Sequence, residues 1–402
     1  AAAAGARASG CRPLDCGVVP TPALALAAAA RGTAAVMVTG SHIPDDRNGL
    51  KFYRADGEID KADEARITAA FAPVHSPAPA SIDLLSGIDQ DYIDRYRMFF
   101  GPDALSGLRI GIYEHSSAAR DIIGPILSAL GAEPIALGRS EQFVPVDTEA
   151  LDPETRQMLA GWTAAHGLDA VVSTDGDADR PMVADADGAV IAGDLLGPLT
   201  ARWIGADRLV TPVSSNTCVD LIGNFTVRRT KIGSPYVIAG MAEMGGKVAG
   251  YEANGGFLTG FAAERGGRTL PALMTRDSLL PILAPLALAR AEGISLARLV
   301  ATLPPRFTAA DRLVGIPPER SAALLAALPC DEDLRARLFS GGAIEAVDLT
   351  DGYRAKFADG TIRHLRPSGN APEFRVYAEA DTPEQAQTLL RHTLRQVASE
   401  LT

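Results

Sequence analysis

Ala170-Val171-Val172-Ser173-Thr174-Asp175-Gly176-Asp177-Ala178-Asp179-Arg180 runs from an apolar strand straight into three carboxylates at alternate positions. In an extended or gently curled segment, residues i, i+2 and i+4 project to one side, so the three side chains can converge on one point. Like charges brought that close repel unless a cation sits among them. Hard oxygen ligands select Mg2+, Mn2+ or Ca2+ over zinc. Asp175, Asp177 and Asp179 are therefore read as candidate metal ligands, with Arg180 beside them.

Two rival loops begin in a similar way. An EF-hand calcium loop requires Gly at its sixth position and Glu at its twelfth, where this chain has Arg180 and Ala186, and a strand precedes the loop in place of a helix. A haloacid-dehalogenase-like phosphatase usually has Thr or Val where Asp179 stands. A solvated acidic turn is the plainest alternative.

Upstream, Ala34 to Val38 reads as a buried strand feeding Thr39-Gly40-Ser41-His42-Ile43-Pro44-Asp45-Asp46-Arg47-Asn48-Gly49-Leu50-Lys51. Gly40 lets the backbone turn and leaves Ser41 at a strand end as a candidate nucleophile. His42 supplies a hydrogen-bond donor and Lys51 a basic group. Taken alone, the same residues also suit an ordinary strand-to-helix turn.

Downstream, Gly250-Tyr251-Glu252-Ala253-Asn254-Gly255-Gly256 follows a strand and sets a carboxylate and an amide two residues apart. Glu252 accepts and Asn254 both accepts and donates, a pair suited to vicinal sugar hydroxyls, although Gly-rich turns are also built for structure alone. Arg366-Pro367-Ser368-Gly369-Asn370-Ala371-Pro372 offers a guanidinium, a hydroxyl, an amide and backbone N–H groups around a glycine. Such a set forms an anion-binding concavity, and the planar fork of Arg366 matches a phosphate.

The 402-residue chain is too long for one compact core. Apolar residues make up 47% and aromatic ones 5%, which fits an α/β protein, and a net charge of −11 argues against binding along a nucleic-acid backbone. Four scattered cysteines (Cys11, Cys16, Cys218 and Cys330) form neither a disulfide framework nor a zinc pattern, so a cytoplasmic location is expected. Apolar runs such as Leu279 to Ala289 are short for a membrane span, and no signal peptide is evident.

Strands alternate with amphipathic helical stretches over the first three quarters, which predicts parallel sheets covered by helices. Punctuation near Phe100, Asp194 and Pro304-Pro305 divides the chain into segments 1–100, 101–193, 194–303 and 304–402. The last is strand-rich and closes on a helix from Pro383 to Leu401. Ala1 to Ala8 reads as the tail of a helix entered in mid-domain, or as an Ala-rich tail.

Together, and in this order, the Ser41, aspartate, Glu252 and Arg366 loops resemble the α-D-phosphohexomutase superfamily, and within it the bacterial phosphomannomutase/phosphoglucomutase type. The resemblance implies three αβα sandwich domains and a smaller C-terminal α+β domain around one central cleft, with the opening part of the first domain lacking a counterpart here. It implies that Ser41 carries a phosphoryl group exchanged with a hexose phosphate through a hexose 1,6-bisphosphate. Mg2+ would be held by Asp175, Asp177, Asp179 and a phosphoserine oxygen at Ser41. Arg180 and His42 would hold the phosphoryl group, and Lys51 would act as general acid/base. Glu252 and Asn254 would bind sugar hydroxyls, while Arg366, Ser368, Gly369 and Asn370 would hold the non-reacting phosphate.

The match has departures. The family's sugar loop usually reads Glu-x-Ser-Gly-His, whereas Asn254 and Gly256 stand here, and Ser234 occupies the place of a second His in some members. The phosphate loop has Asn370-Ala371 where Thr-Glu is common. The expected partner is a phosphorylated hexose, with no nucleic acid and no membrane. Mannose phosphate leads, with glucose or glucosamine phosphate second; a sugar-phosphate hydrolase and a non-catalytic sensor are the readings from other classes.

Overall fold

Each of the four polar loops is the tip of an antiparallel hairpin. Strand Ala35–Thr39 returns as Gly49–Arg54 with Thr39 opposite Gly49, and Ala170–Thr174 returns as Pro181–Ala184 with Thr174 opposite Pro181. Val248–Tyr251 returns as Phe257–Thr259 with Tyr251 opposite Phe257, and Ile362–Pro367 as Glu373–Ala380 with Pro367 opposite Phe374. Cross-strand pairing holds both ends of each loop close together, so short polar segments are presented from fixed bases.

The computed structural model describes residues 2–41, 48–71, 82–340, 342–368 and 372–401. His42, Gly369 and Asn370 lie outside the described residues.

The parallel sheets predicted from the βα rhythm are realised in part. In the second segment Glu133–Arg139, Arg109–His115 and Ala170–Thr174 run parallel, and Pro181–Ala184 adds an antiparallel edge. In the third, Thr226–Thr230, Arg208–Pro212 and Val248–Tyr251 are parallel, while Phe257–Thr259 and Leu273–Asp277 reverse direction. In the first segment Leu14–Asp15 and Asp83–Leu84 form a short parallel pair, while the three-stranded sheet Ala35–Thr39, Gly49–Arg54 and Gly57–Glu58 is antiparallel throughout. The fourth is a five-stranded antiparallel sheet in the order Phe307–Val314, Glu373–Ala380, Ile362–Pro367, Tyr353–Phe357, Ile344–Asp348. An antiparallel return needs only a short loop, so no crossover helix marks it in the sequence.

Strand Ala35–Thr39 is not the buried strand its apolar run suggests. Val36 is 42% and Val38 54% exposed, because alternate side chains of an antiparallel strand face opposite ways and only one face is packed.

One apolar core from Val19 to Leu299 draws on all of the first three segments, smaller clusters lie around Leu159 in the second and Met241 in the third, and a separate core lies between Ala309 and Leu401. Phe100 stacks on Trp203 at 5.6 Å across the Phe100 and Asp194 boundaries. The Tyr92 and Tyr96 hydroxyls, on helix Ile88–Phe100, both donate to the buried Asp277 carboxylate, Tyr92 at 2.7 Å. Helix Leu279–Glu292 is buried from Leu279 through Ala289, which explains its nearly unbroken apolar sequence. No described helix is long and apolar enough to cross a membrane.

Asp194, in the first turn of helix Gly193–Ile204, is also buried. Its Oδ2 accepts from the Asn216 N–H at 2.8 Å while Oδ1 has no hydrogen-bond partner. Burial pushes its carboxyl up to about 7, against the hydrogen bond from Asn216. A native pKa above the unfolded one means that the stabilising contribution is full below the unfolded pKa and is lost as pH rises towards 7. Asp194→Asn, which cannot ionise, should show a flatter decline of unfolding free energy between about pH 4 and 7. Urea unfolding across that range checks this, and equal slopes for the two proteins would refute it.

Candidate active site

The aspartate loop closes on itself through its backbone. Asp175 Oδ1 accepts from the N–H groups of Asp179 and Arg180, both at 3.1 Å, and Ala178 adopts φ 59° to make the turn. Non-glycine residues reach that conformation at a cost, met here by surrounding contacts such as Ser278 Oγ donating to the Ala178 carbonyl at 2.7 Å. Gly176 faces the Ser41 backbone so closely that a Cβ would stand 2.4 Å from the Ser41 carbonyl oxygen. Only glycine permits this apposition of the two hairpin tips.

Asp175, Asp177 and Asp179 are all buried, each presenting a carboxylate oxygen within 4.8 Å of the others. The Ser41 hydroxyl donates to Asp175 Oδ2 at 2.8 Å. Lys51 Nζ donates to Asp177 Oδ2 at 2.5 Å and to Asp179 Oδ2 at 2.8 Å. Lys51 belongs to the return strand of the Ser41 hairpin, opposite Met37, and that register sets it against the aspartates. Arg180 Nε lies 3.9 Å from Asp175 Oδ2 and 3.9 Å from Asp179 Oδ1. Ser41, Lys51, Arg180 and the three aspartates, far apart in sequence, thus form one cluster.

Its electrostatics follow from burial and crowding. Burial first, then the charges of Asp179 and Asp177, push the Asp175 carboxyl up to about 7. Burial pushes Asp179 the same way, but Arg276, Lys51 and Arg180 outweigh it and hold that carboxyl well below the ordinary range. For Lys51, burial favours the neutral amine, yet Asp179 and Asp177 prevail and raise its pKa, so the ammonium form is held.

The donor set fits a hard divalent cation. Asp177 Oδ1 and Asp179 Oδ1 are buried without hydrogen-bond partners, and three converging carboxylates with a hydroxyl oxygen beside them are the ligands such an ion takes. Burial without a partner is costly for a carboxylate oxygen, and a bound cation relieves it.

Glu252 and Asn254 form the next hairpin tip. Glu252 is buried, with its N–H donating to the Gly256 carbonyl at 3.1 Å and its carbonyl accepting from Gly255 at 2.9 Å. Its Oε2 is 3.3 Å from Arg276 Nη1. Asn254 Oδ1 accepts from the Gly256 N–H at 2.9 Å, so its acceptor shapes the loop, leaving the amide NH2 as the group that can reach outward. This tip rests on Gly193, where a Cβ would lie 2.3 Å from the Gly255 nitrogen.

Arg366 ends strand Ile362–Pro367 with Nε 3.4 Å from Asp351 Oδ2. Asp351 Oδ2 also accepts from the Ile232 N–H at 3.0 Å, which ties the fourth segment to the third just before Ser234. Ser234 Oγ donates to Glu58 Oε2 at 2.6 Å, joining the third segment to the first. Ser368 follows Arg366, with its N–H donating to the Glu373 carbonyl at 2.8 Å. The described contacts do not bring Arg366 and Ser368 onto the aspartate cluster itself.

Two residues of the cluster carry no signal in the sequence reading. Thr21 begins helix Thr21–Arg31; its hydroxyl donates to Asp177 Oδ2 at 2.8 Å and its N–H to the Asp177 carbonyl at 2.9 Å. Arg276 donates to Asp179 Oδ2 at 2.6 Å. A hydroxyl at a helix start and an arginine at a strand end are common residues in common places, and only the fold brings them to the aspartates.

Comparison with known proteins gives four matches in chain order. The phosphoglucomutase/phosphomannomutase family models match by their alpha/beta/alpha domain I over residues 1–76, domain II over 90–188, domain III over 185–307 and C-terminal domain over 317–396. A phosphomannomutase of Sinorhizobium fredii is 45% identical over 405 residues, covering 98% of this chain and 85% of the relative. One from Salmonella muenchen is 44% identical, covering 100% of this chain and 85% of the relative. A phosphoglucosamine mutase of Paracoccus denitrificans is 29% identical, over 98% of this chain and 84% of that protein. Among solved structures, a phosphoglucomutase/phosphomannomutase family protein of Burkholderia thailandensis superposes with a TM-score of 0.75 at 21% identity, over 99% of this chain and 85% of the other. An Aspergillus fumigatus N-acetylphosphoglucosamine mutase in complex with glucose 1,6-bisphosphate superposes with a TM-score of 0.61 at 16% identity, over 100% of this chain and 98% of the other.

Proposed function

The chain belongs to the phosphoglucomutase/phosphomannomutase family, and we propose that it is a Mg2+-dependent phosphomannomutase that interconverts mannose 1-phosphate and mannose 6-phosphate through a phosphoserine at Ser41. The observation that carries this reading is the Ser41 hydroxyl, which donates at 2.8 Å to Asp175 of a buried aspartate triad. A serine in ordinary company has no reason to face three carboxylates.

In the proposed cycle, the phosphoryl group on Ser41 passes to a free hydroxyl of the hexose phosphate. The Oγ–P bond breaks, an O–P bond forms to the sugar, and the proton of the sugar hydroxyl replaces the phosphoryl group on the Ser41 oxygen by way of Lys51, which gives one proton to Oγ and takes one from the sugar. The resulting hexose 1,6-bisphosphate turns over in the cleft and returns its other phosphoryl group to Ser41.

Mg2+ held by Asp175, Asp177, Asp179 and a Ser41 phosphate oxygen would supply positive charge where the transferring group is most anionic. Lys51, bonded to Asp177 and Asp179 of the same aspartate loop that holds Ser41 through Asp175, is the proton carrier of this scheme. It is protonated while paired with Asp177 and Asp179, which suits donation to a departing oxygen; it becomes a base only once those carboxylates are otherwise engaged. Arg180 steadies the transferring phosphoryl group together with His42. Glu252 and Asn254 receive sugar hydroxyls, and Arg366, Ser368, Gly369 and Asn370 take the distal phosphate.

The phosphoglucosamine mutase relative favours amino-sugar phosphate as the second substrate class, and glucose phosphate follows by family. None of the relatives named above is a hydrolase or a sensor. Incubating the full chain with mannose 1-phosphate, Mg2+ and a trace of glucose 1,6-bisphosphate should yield mannose 6-phosphate, followed by phosphorus NMR. Faster turnover of glucosamine 1-phosphate would move the assignment to that substrate, and release of inorganic phosphate alone would replace the mutase with a hydrolase.

A further inference from the structure

Arg276 joins two loops that belong to different sheets. Its Nη2 donates to Asp179 Oδ2 at 2.6 Å and its Nη1 to Glu252 Oε2 at 3.3 Å, while Nε is buried without a hydrogen-bond partner. The side chain is 15% exposed. Its stem passes directly over Gly256, where a Cβ would stand 2.9 Å from the Arg276 Cδ and 3.0 Å from Cγ. Arg276 therefore fills the room that any side chain at position 256 would need.

The backbone on either side is secured without this guanidinium. Thr275 Oγ1 donates to Glu58 Oε1 at 2.7 Å, and Asp277 takes the Tyr92 and Tyr96 hydroxyls as well as the Leu279 N–H. The strand end is thus pinned by its neighbours, and what Arg276 adds is the link between Asp179 and Glu252. A planar guanidinium is suited to that link, because it offers two donors in fixed relation to two carboxylates.

We propose that Arg276 is a positioning residue for sugar binding: it holds the Glu252 carboxylate at a set place beside the aspartate loop, and Gly256 is side-chain-free so that Arg276 can lie there. The proposal rests on the mutase reading above, in which Glu252 receives sugar hydroxyls. Because Arg276 donates to Asp179 Oδ2, it also competes with any cation for that oxygen, which gives a second and independent readout.

The test compares the full chain with Arg276→Ala, Arg276→Lys and Gly256→Ala. The first measurement is the KM and kcat for mannose 1-phosphate, and the second is Mn2+ binding by calorimetry in the absence of sugar. Arg276→Ala should raise KM about tenfold with a smaller change in kcat, as loss of a charge-assisted contact to Glu252 requires. Arg276→Lys should recover part of that loss, because it keeps the charge and loses the fork. Gly256→Ala, which leaves Arg276 in the chain but displaces its stem, should raise KM in the same direction. Mn2+ should bind several-fold more tightly to Arg276→Ala than to the wild type, and Arg276→Lys should lie closer to the wild type.

A folded Arg276→Ala with wild-type KM and wild-type Mn2+ affinity overturns the proposal. If that variant fails to fold, Arg276→Lys and Gly256→Ala carry the same comparison, and wild-type KM in both overturns it equally. Absence of mutase turnover in the wild type would defeat the functional reading instead, while the Mn2+ comparison still decides whether Arg276 acts on the aspartate loop.

Discussion

Ser41→Ala should lower mutase turnover by about a thousandfold or more, the scale on which loss of a covalent nucleophile is felt. The hydroxyl is the atom that must accept and release the phosphoryl group, and nothing else in the Thr39–Gly40–Ser41 turn offers a replacement oxygen in the same place. The substitution should cost little stability, since Ser41 lies at a half-buried hairpin tip and the alanine gives up the hydroxyl's hydrogen bond to Asp175. Its φ of 49° is as accessible to alanine as to serine. Steady-state assay of the variant beside its thermal midpoint separates the two effects. Turnover near the wild-type level in a folded Ser41→Ala protein would remove the phosphoserine from the scheme.

Asp177→Asn should be the next most damaging change. Asp177 Oδ2 receives both Thr21 and Lys51, and its Oδ1 is the buried oxygen without a partner. The amide keeps the shape but removes one negative charge from the triad and replaces one acceptor oxygen with a donor. Divalent-cation affinity should fall at least tenfold, and kcat/KM by about a hundredfold, because stabilisation of the transferring phosphoryl group by a held cation is worth several kcal/mol. Mn2+ titration and steady-state kinetics measure the two quantities on the same sample. Unchanged cation affinity would show that Asp177 serves its hydrogen-bond partners Thr21 and Lys51 and not a cation.

Much of this site was legible in the sequence because its chemistry is local. Three aspartates at alternate positions after an apolar strand announce convergence whatever the rest of the chain does, and the structure brings their oxygens within 4.8 Å. Lys51 is singled out by the family resemblance, while the hairpin register that sets it against the aspartates is visible only in the structure. Helix Pro383–Leu401 lies where the residue pattern sets it.

What was not legible depends on contacts between distant segments. Thr21 and Arg276 reach Asp177 and Asp179 across 156 and 97 residues of chain, and neither residue type nor its immediate neighbours signals this. The direction of Phe257–Thr259 is hidden for a related reason: the return is short, and the βα rhythm around it speaks for parallel pairing. The turn in which the Gly256 N–H takes the Asn254 acceptor oxygen, leaving only the amide NH2 as a group for a ligand, is likewise invisible until the loop is folded.

The most direct test of the central claim is peptide mapping by mass spectrometry of the full chain after incubation with glucose 1,6-bisphosphate and Mg2+. The expected result is a single phosphoryl group on Ser41 which, when isotopically labelled, passes into mannose 6-phosphate on addition of excess unlabelled mannose 1-phosphate, while Ser41 is rephosphorylated by the unlabelled sugar phosphate. Turnover that proceeds with Ser41 unmodified at every stage would contradict it.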